Sequence, residues 1–193
     1  MKIGITLTSS LHVGQEYIEL TRVVIKSIAE KGQSIVYGGT SYGMMLELAE
    51  TYKKFEGKKL IGVMAKDLIA VTKGYAAYEK LDEKHIVDTI GERIAKITQL
   101  SDSLLILPGG YGTIEEMASM IGGKVNKLYD KPIAMYNYNG FYDTAILFFN
   151  ELHQKEFTKI KFEDVVFVSK NIDDIINYFT NYQPAQIADK FIK

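Results

Sequence analysis

Short apolar runs alternate with longer amphipathic stretches along the whole chain. The runs at 3–7, 34–37, 60–64, 103–107, 132–136 and 165–168 have strand length, and most are rich in Val and Ile. Near-continuous apolar runs of this kind suit strands covered on both faces of a parallel sheet. Between them, 16–31, 43–55, 92–99, 113–128, 141–152 and 172–179 carry helical patterning. In the first of these, Ile18, Val24, Ile25 and Ile28 fall on one side, with Glu19, Arg22, Lys26 and Glu30 between them. Gly32 is placed to end that helix in a left-handed cap. Asn171 is placed to start the last one, with Asp173 and Asp174 in its positive first turn. Strand and helix in alternation predict βαβ units with right-handed crossovers. The fold class expected is α/β, a doubly wound, Rossmann-like parallel sheet in a single domain over residues 1–193. The stretch 66–85 is the least regular and reads equally as a helix or as a flap over a site. The tail at 184–193 is expected to pack loosely or to cross to a partner.

Composition narrows the function classes. The chain has 193 residues, 47 % of them hydrophobic, enough for one domain with a sizeable core. With 23 basic against 24 acidic residues, it lacks the basic excess of a nucleic-acid surface. Cysteine is absent, which excludes disulfide scaffolds, thiolate zinc sites and thiol nucleophiles. No apolar run approaches the roughly 20 residues needed to span a bilayer. Met1-Lys2-Ile3-Gly4 reads as the start of a folded strand, not as a signal peptide, so a cytoplasmic location is expected.

In an open parallel sheet, ligands bind beyond the carboxyl ends of the strands, where the strand order reverses. Two glycine-rich turns follow apolar runs here. One is Gly38-Gly39-Thr40-Ser41-Tyr42-Gly43, and the other is Pro108-Gly109-Gly110-Tyr111-Gly112-Thr113, with Glu115 and Glu116 opening the next helix. Such turns bring backbone N–H groups close to an anion, and the following helix adds its positive end. Neither is a Walker loop or a Gly-x-Gly-x-x-Gly fingerprint. A single glycine turn is often only a tight connection. The pattern Pro-Gly-Gly-x-Gly-Thr-x-x-Glu, however, arises by chance in about one chain in 10⁵ of this length at average usage.

Pro108 to Glu116 resembles the signature of the LOG family, the cytokinin riboside 5′-monophosphate phosphoribohydrolases, many of which carry the label lysine decarboxylase. The similarity extends over nearly the whole chain. Tyr37-Gly38-Gly39 resembles the family's Tyr-Gly-Gly-Gly turn, and Lys131-Pro132 its late Lys-Pro strand. Asn139-Gly140-Phe141-Tyr142-Asp143 resembles its Asp-Gly-Tyr-Tyr-Asp turn. Ile90-Gly91-Glu92-Arg93-Ile94 falls where the family has Met-x-x-Arg-Lys.

The resemblance implies hydrolysis of the N-glycosidic bond of a purine or cytokinin-type nucleoside 5′-monophosphate, without a cofactor or metal. Departure of the base leaves an oxocarbenium-like sugar, which a nearby carboxylate stabilises while it activates water. Glu116, at the mouth of the anion loop, is the expected catalytic acid, with Arg93 orienting substrate and holding Glu116 charged. Gly109, Gly110, Gly112 and Thr113 are expected to grip the 5′-phosphate. Gly39, Thr40, Ser9 and Lys96 are candidate substrate contacts, Lys96 because it lies one helical turn beyond Arg93. Glu115 reads as a solvated first-turn acid.

The departures from the family pattern are Ile90, Ile94, Thr40 and the Thr8-Ser9-Ser10 end of the first strand. They keep a second class open: a binding protein of the molybdenum-cofactor-carrier type, which holds a phosphorylated ligand without turnover. A nucleotide sensor signalling through a dimer is a third. His12, His85 and His153 lack metal-ligand spacing, and no lysine has a recognisable Schiff-base setting. The stripe Met117, Met120 and Ile121 reads as core or as a homodimer interface. A small-molecule partner and a homodimer are expected, with neither nucleic acid nor membrane.

Overall fold

Residues that alternate little in polarity become strands covered from both sides. The structure, a computed structural model that describes residues 1–72 and 75–184, has β1 (Lys2–Thr6), β2 (Ser34–Tyr37), β3 (Leu60–Ala65), β4 (Glu83–Val87), β5 (Ser103–Ile106), β6 (Ile133–Tyr136) and β7 (Phe167–Ser169). They form one parallel sheet in the order β4-β3-β2-β1-β5-β6-β7. The connections carry α1 (Gln15–Glu30), α2 (Gly43–Lys54), α3 (Lys66–Val71), α4 (Ile90–Leu100), α5 (Tyr111–Val125), α6 (Asp143–Gln154), α7 (Phe162–Val165) and α8 (Ile172–Thr180). Among the described residues, no helix is long and apolar enough to cross a membrane.

The period of two along each strand divides the core. Ile3, Ile5, Ile35 and Leu105 face α1, α2 and α8, packing with Val24, Ile28, Leu48 and Ile175. Leu104 and Ile106 point to the opposite side, against Met117 and Met120 of α5 and Phe162 of α7. Ile97 of α4 covers Val36, Ile61 and Val63. Covering an aliphatic side chain of this size contributes about 1.5–3 kcal/mol of transfer free energy. The result is the doubly wound α/β domain that the alternation predicts. The helix signals behave as their chemistry requires. Gly32 has φ +64°, donates to the Ala29 carbonyl at 2.8 Å and is followed by Gln33 donating to Ile28. Asn171 accepts from the Asp173 N–H at 2.8 Å.

Three differences from the sequence pattern have physical causes. β4 was not expected, because Glu83, Lys84 and His85 break its apolar character. It is an edge strand paired only to β3, so one side meets solvent and charge is tolerated there. The irregular stretch therefore resolves into α3, a crossing segment and the start of β4. The run at 165–168 is divided: α7 takes Phe162–Val165, and β7 begins at Phe167. Finally, α5 starts two residues early, because Gly110 caps it. Glu116 is thus inside the helix and not at its opening. The tail beyond Pro184 lies outside the described residues.

Two of the family-like motifs prove to be supports. Lys131 Nζ donates to the carbonyls of Thr98 at 2.7 Å and Ser101 at 2.6 Å, closing the C-terminal end of α4. The Tyr142 hydroxyl donates to the Leu107 carbonyl at 2.8 Å, bracing the loop that follows β5. Both anchor elements that carry site residues.

Candidate active site

Strand order reverses at β1, whose neighbours β2 and β5 are reached by chains running to opposite sides. The loops beyond the carboxyl ends of β1 and β5 therefore part, and a cavity of about 240 Å³ opens there. Arg93 from α4 and Glu116 from α5 meet on its floor. Arg93 Nη1 donates to Glu116 Oε1 at 3.0 Å, with each residue only 5 % exposed. Arg93 Nε donates to the Val63 carbonyl at 3.0 Å near the end of β3. The Thr6 hydroxyl, at the end of β1, donates to the other carboxylate oxygen, Oε2. One donor on each oxygen fixes the plane of the carboxylate and leaves further lone pairs free.

Burial pushes the Glu116 carboxyl up from its ordinary value, while the Arg93 charge and the Thr6 hydroxyl pull it down. The net direction is upward because burial outweighs them, while Arg93 acts in the expected sense and favours the charged form. A carboxyl raised in this way is better matched to exchanging a proton near neutral pH. It also sits on the cavity floor, not at the mouth of the loop.

Above it, the N-terminal turn of α5 faces the cavity with Gly110, Tyr111, Gly112 and Thr113. The first N–H groups of a helix have no partner within it and carry its positive end. The Thr113 hydroxyl is buried without a hydrogen-bond partner. A side chain on Gly110 or Gly112 would meet no protein atom within 4 Å. The fold itself does not require glycine at those two positions, so the open space serves whatever approaches the backbone. Gly109 is different. A Cβ there would come within 2.0 Å of Thr113 Oγ1, so Gly109 makes room for Thr113 and does not itself line the cavity.

The other candidates separate in the same way. Ser9 and Thr40 are on the cavity wall, and the Thr40 hydroxyl is also buried without a partner. Gly39 is beneath the wall, with φ +71° and its back against Gly62. Lys96 does not join the site. Its ammonium donates to Gln99 at 3.2 Å, and it is not among the residues that line the cavity. Ile94 is buried outside the cavity wall, whereas Ile90 lines it. Glu115 is exposed. Met117 and Met120 belong to the core, which settles the stripe for those two residues. His85 pairs with Glu83, His153 with the Thr158 carbonyl, and His12 is exposed. Among the described residues, no group of three metal-ligating side chains forms.

Several site residues were not picked out from the sequence. Thr6 has a signal, a hydroxyl in an otherwise apolar strand. Gly38 has one only in three dimensions: a Cβ there would lie 1.9 Å from Arg93 Nη2. Leu68 and Tyr75 come from the irregular stretch after β3, which the sequence left open between a helix and a flap over a site without naming either residue.

Comparison with known proteins gives the family and the fold. Residues 44–179 match the family model described as "Possible lysine decarboxylase". A probable cytokinin riboside 5′-monophosphate phosphoribohydrolase of Oryza sativa subsp. japonica is 29 % identical over 174 residues, covering 90 % of this chain and 71 % of that protein. A cytokinin riboside 5′-monophosphate phosphoribohydrolase of Arabidopsis thaliana is 26 % identical, covering 81 % of this chain and 72 % of that one. Of three further rice relatives the chain spans 62–64 % of the length. In fold, the chain resembles the molybdenum cofactor carrier protein of Chlamydomonas reinhardtii, with a TM-score of 0.68, 20 % identity and coverage of 93 % and 95 % of the two chains. From the matched family model and these relatives, the chain belongs to the LOG family, whose members also carry the description of possible lysine decarboxylases.

Proposed function

We propose that the chain hydrolyses the N-glycosidic bond of a nucleoside 5′-monophosphate, of purine or cytokinin type, to free base and ribose 5-phosphate. The observation that carries this is the buried Arg93–Glu116 pair directly beneath the N-terminus of α5. A 5′-phosphate at the N–H groups of Gly110 to Thr113 gains the helix dipole and the Thr113 hydroxyl. The anomeric carbon then lies over the carboxylate. As the C1′–N bond breaks, its electron pair leaves with the base, and the Glu116 carboxylate faces the positive charge that develops on the sugar. Water attacks C1′ and gives a proton to Glu116, which passes it on to the departing base. Substrate and one water thus become base and ribose 5-phosphate, with no cofactor in the balance. Arg93 and Thr6 keep the carboxylate turned toward the reacting carbon.

The names of the curated relatives support this reading. The carrier class suggested by the fold neighbours has no use for an acid buried beside an anion site. The test is base release from a panel of 5′-monophosphates, with adenosine as the control lacking the phosphate. Adenosine is expected to react at least 100-fold less efficiently, and equal rates would overturn the role given to the α5 turn.

We propose further that the protein is a homodimer, with Tyr111 on the cavity wall and the exposed Ile114 one turn of α5 beyond it among its contacts. Both are apolar and exposed, Tyr111 at 93 %. Light scattering should give twice the 21.8 kDa chain mass, and a monomer at micromolar concentration would refute it.

A further inference from the structure

Five buried side-chain polar atoms among the described residues find no hydrogen-bond partner: Tyr37 OH, Thr40 Oγ1, Tyr75 OH, Thr113 Oγ1 and Lys124 Nζ. Leaving such a group unpaired is unfavourable, so each needs a reason. Thr40, Tyr75 and Thr113 all line the one cavity that holds Arg93 and Glu116. A ligand that fills it supplies partners to all three. Thr113 stands at the phosphate end, and the other two require a second polar feature of the ligand.

Strand order tells which feature that is. Thr113 follows β5, Glu116 touches Thr6 at the end of β1, Thr40 follows β2, and Leu68 follows β3, while Tyr75 is laid back across the turn after β2. Along the sheet these strands run β5, β1, β2, β3. At about 4.8 Å per strand, the three steps span roughly 14 Å, the length of an extended nucleoside monophosphate. Phosphate over β5 and sugar over β1 leave the base above β2 and β3. The walls there are Met45, Leu68 and Ile90, with the hydroxyls of Thr40 and Tyr75 among them. An apolar wall with a few placed hydroxyls suits a heteroaromatic ring.

Tyr75 is held in position by its own backbone. Ser41 N–H donates to the Ala76 carbonyl at 3.1 Å, and Tyr78 N–H donates to the Gly39 carbonyl at 2.9 Å. Thr40 and Ala77 form an antiparallel bridge. The segment 75–78 is therefore fastened across the first glycine turn, and this fixes the phenol on the wall and not in solvent.

We infer that Tyr75 is a specificity residue whose hydroxyl donates a hydrogen bond to an acceptor atom of the nucleobase, a ring nitrogen or a carbonyl oxygen, at the cavity end away from the phosphate. This rests on the phosphoribohydrolase reading for which end of the cavity takes the base. The Tyr75 phenol also lies close enough to Arg93 and Glu116 to feel their charges, so the split between KM and kcat tells a base contact from an effect on that pair.

Tyr75→Phe removes only the oxygen, and since that oxygen has no hydrogen-bond partner among the described residues, the variant should fold as the parent does. Expected is a loss of about tenfold in affinity for the preferred monophosphate, seen as a raised KM with kcat retained. The preference over the next-best base should shrink by a similar factor. Ribose 5-phosphate, which has no base, should bind the variant and the parent equally well by calorimetry. Unchanged affinity for every monophosphate overturns the inference. So does an equal weakening of ribose 5-phosphate, which would mark Tyr75 as merely structural. If the parent releases no base from any monophosphate, the hydrolase reading fails by itself. The calorimetric comparison of nucleotide with ribose 5-phosphate still decides the role of Tyr75.

Discussion

Replacing Glu116 by glutamine is expected to lower kcat for base release by about 10²–10⁴-fold, the range for loss of a positioned acid–base group, with nucleotide affinity little changed. Glutamine has nearly the same shape, and its amide oxygen can accept from Arg93 while its NH2 group donates to the Thr6 hydroxyl. It carries no negative charge to set against the oxocarbenium-like sugar, and it cannot take a proton from water. The pH profile supplies a second signature. Because burial raises the Glu116 carboxyl above its ordinary value, the active ionised form is lost as pH falls through that raised value. Activity should therefore decline on the acid side earlier than for an exposed glutamate. The residual activity of Glu116→Gln should lack that limb. A profile of kcat/KM against pH checks both. An acid limb that persists unchanged in the variant would assign the titration to another group.

Gly38→Ala is expected to lower kcat by about 10²-fold, although Gly38 is no part of the chemistry. Its Cβ would lie 1.9 Å from Arg93 Nη2 and 3.0 Å from Met45 Sδ, so the guanidinium must move. Arg93 is held by the Val63 carbonyl on one side and Glu116 on the other. Moving it turns the carboxylate, and a misplacement of about 1 Å is enough for a loss of this size. Overpacking should also lower stability by about 1–3 kcal/mol. Gly91→Ala, where a Cβ meets nothing within 4 Å, is the matched control on α4 and should leave activity intact. If Gly38→Ala retains full turnover, Arg93 does not need its present position.

The sequence made the architecture legible because a parallel sheet covered on both faces leaves apolar runs that periodicity detects. It made β4 illegible for the same reason, since an edge strand with Glu83, Lys84 and His85 carries no such run. The site divides along a similar line. Gly110, Gly112, Thr113, Glu116 and Arg93 lie in motifs with a chemical rationale of their own. Thr6, Gly38 and Tyr75 matter through what they approach in space, from strands far apart in the chain. Lys96 misled because helical spacing says which residues share a face but not how far that face runs from the sheet's carboxyl edge. Glu116 reaches the cavity beside Arg93, but deeper in the helix than the motif alone suggests. A glycine that caps α5 moved the helix start, and with it the acid, toward the interior.

Incubation of the unaltered protein with AMP, GMP, CMP, UMP, IMP and isopentenyl-AMP, with free base and ribose 5-phosphate measured together, tests the central claim most directly. Expected is release of the two products in equal amounts from at least one member, and only trace release by Glu116→Gln. Calorimetric binding of a monophosphate with no base released by the parent would contradict the claim and mark the cavity as a site for holding a nucleotide, not for cleaving it.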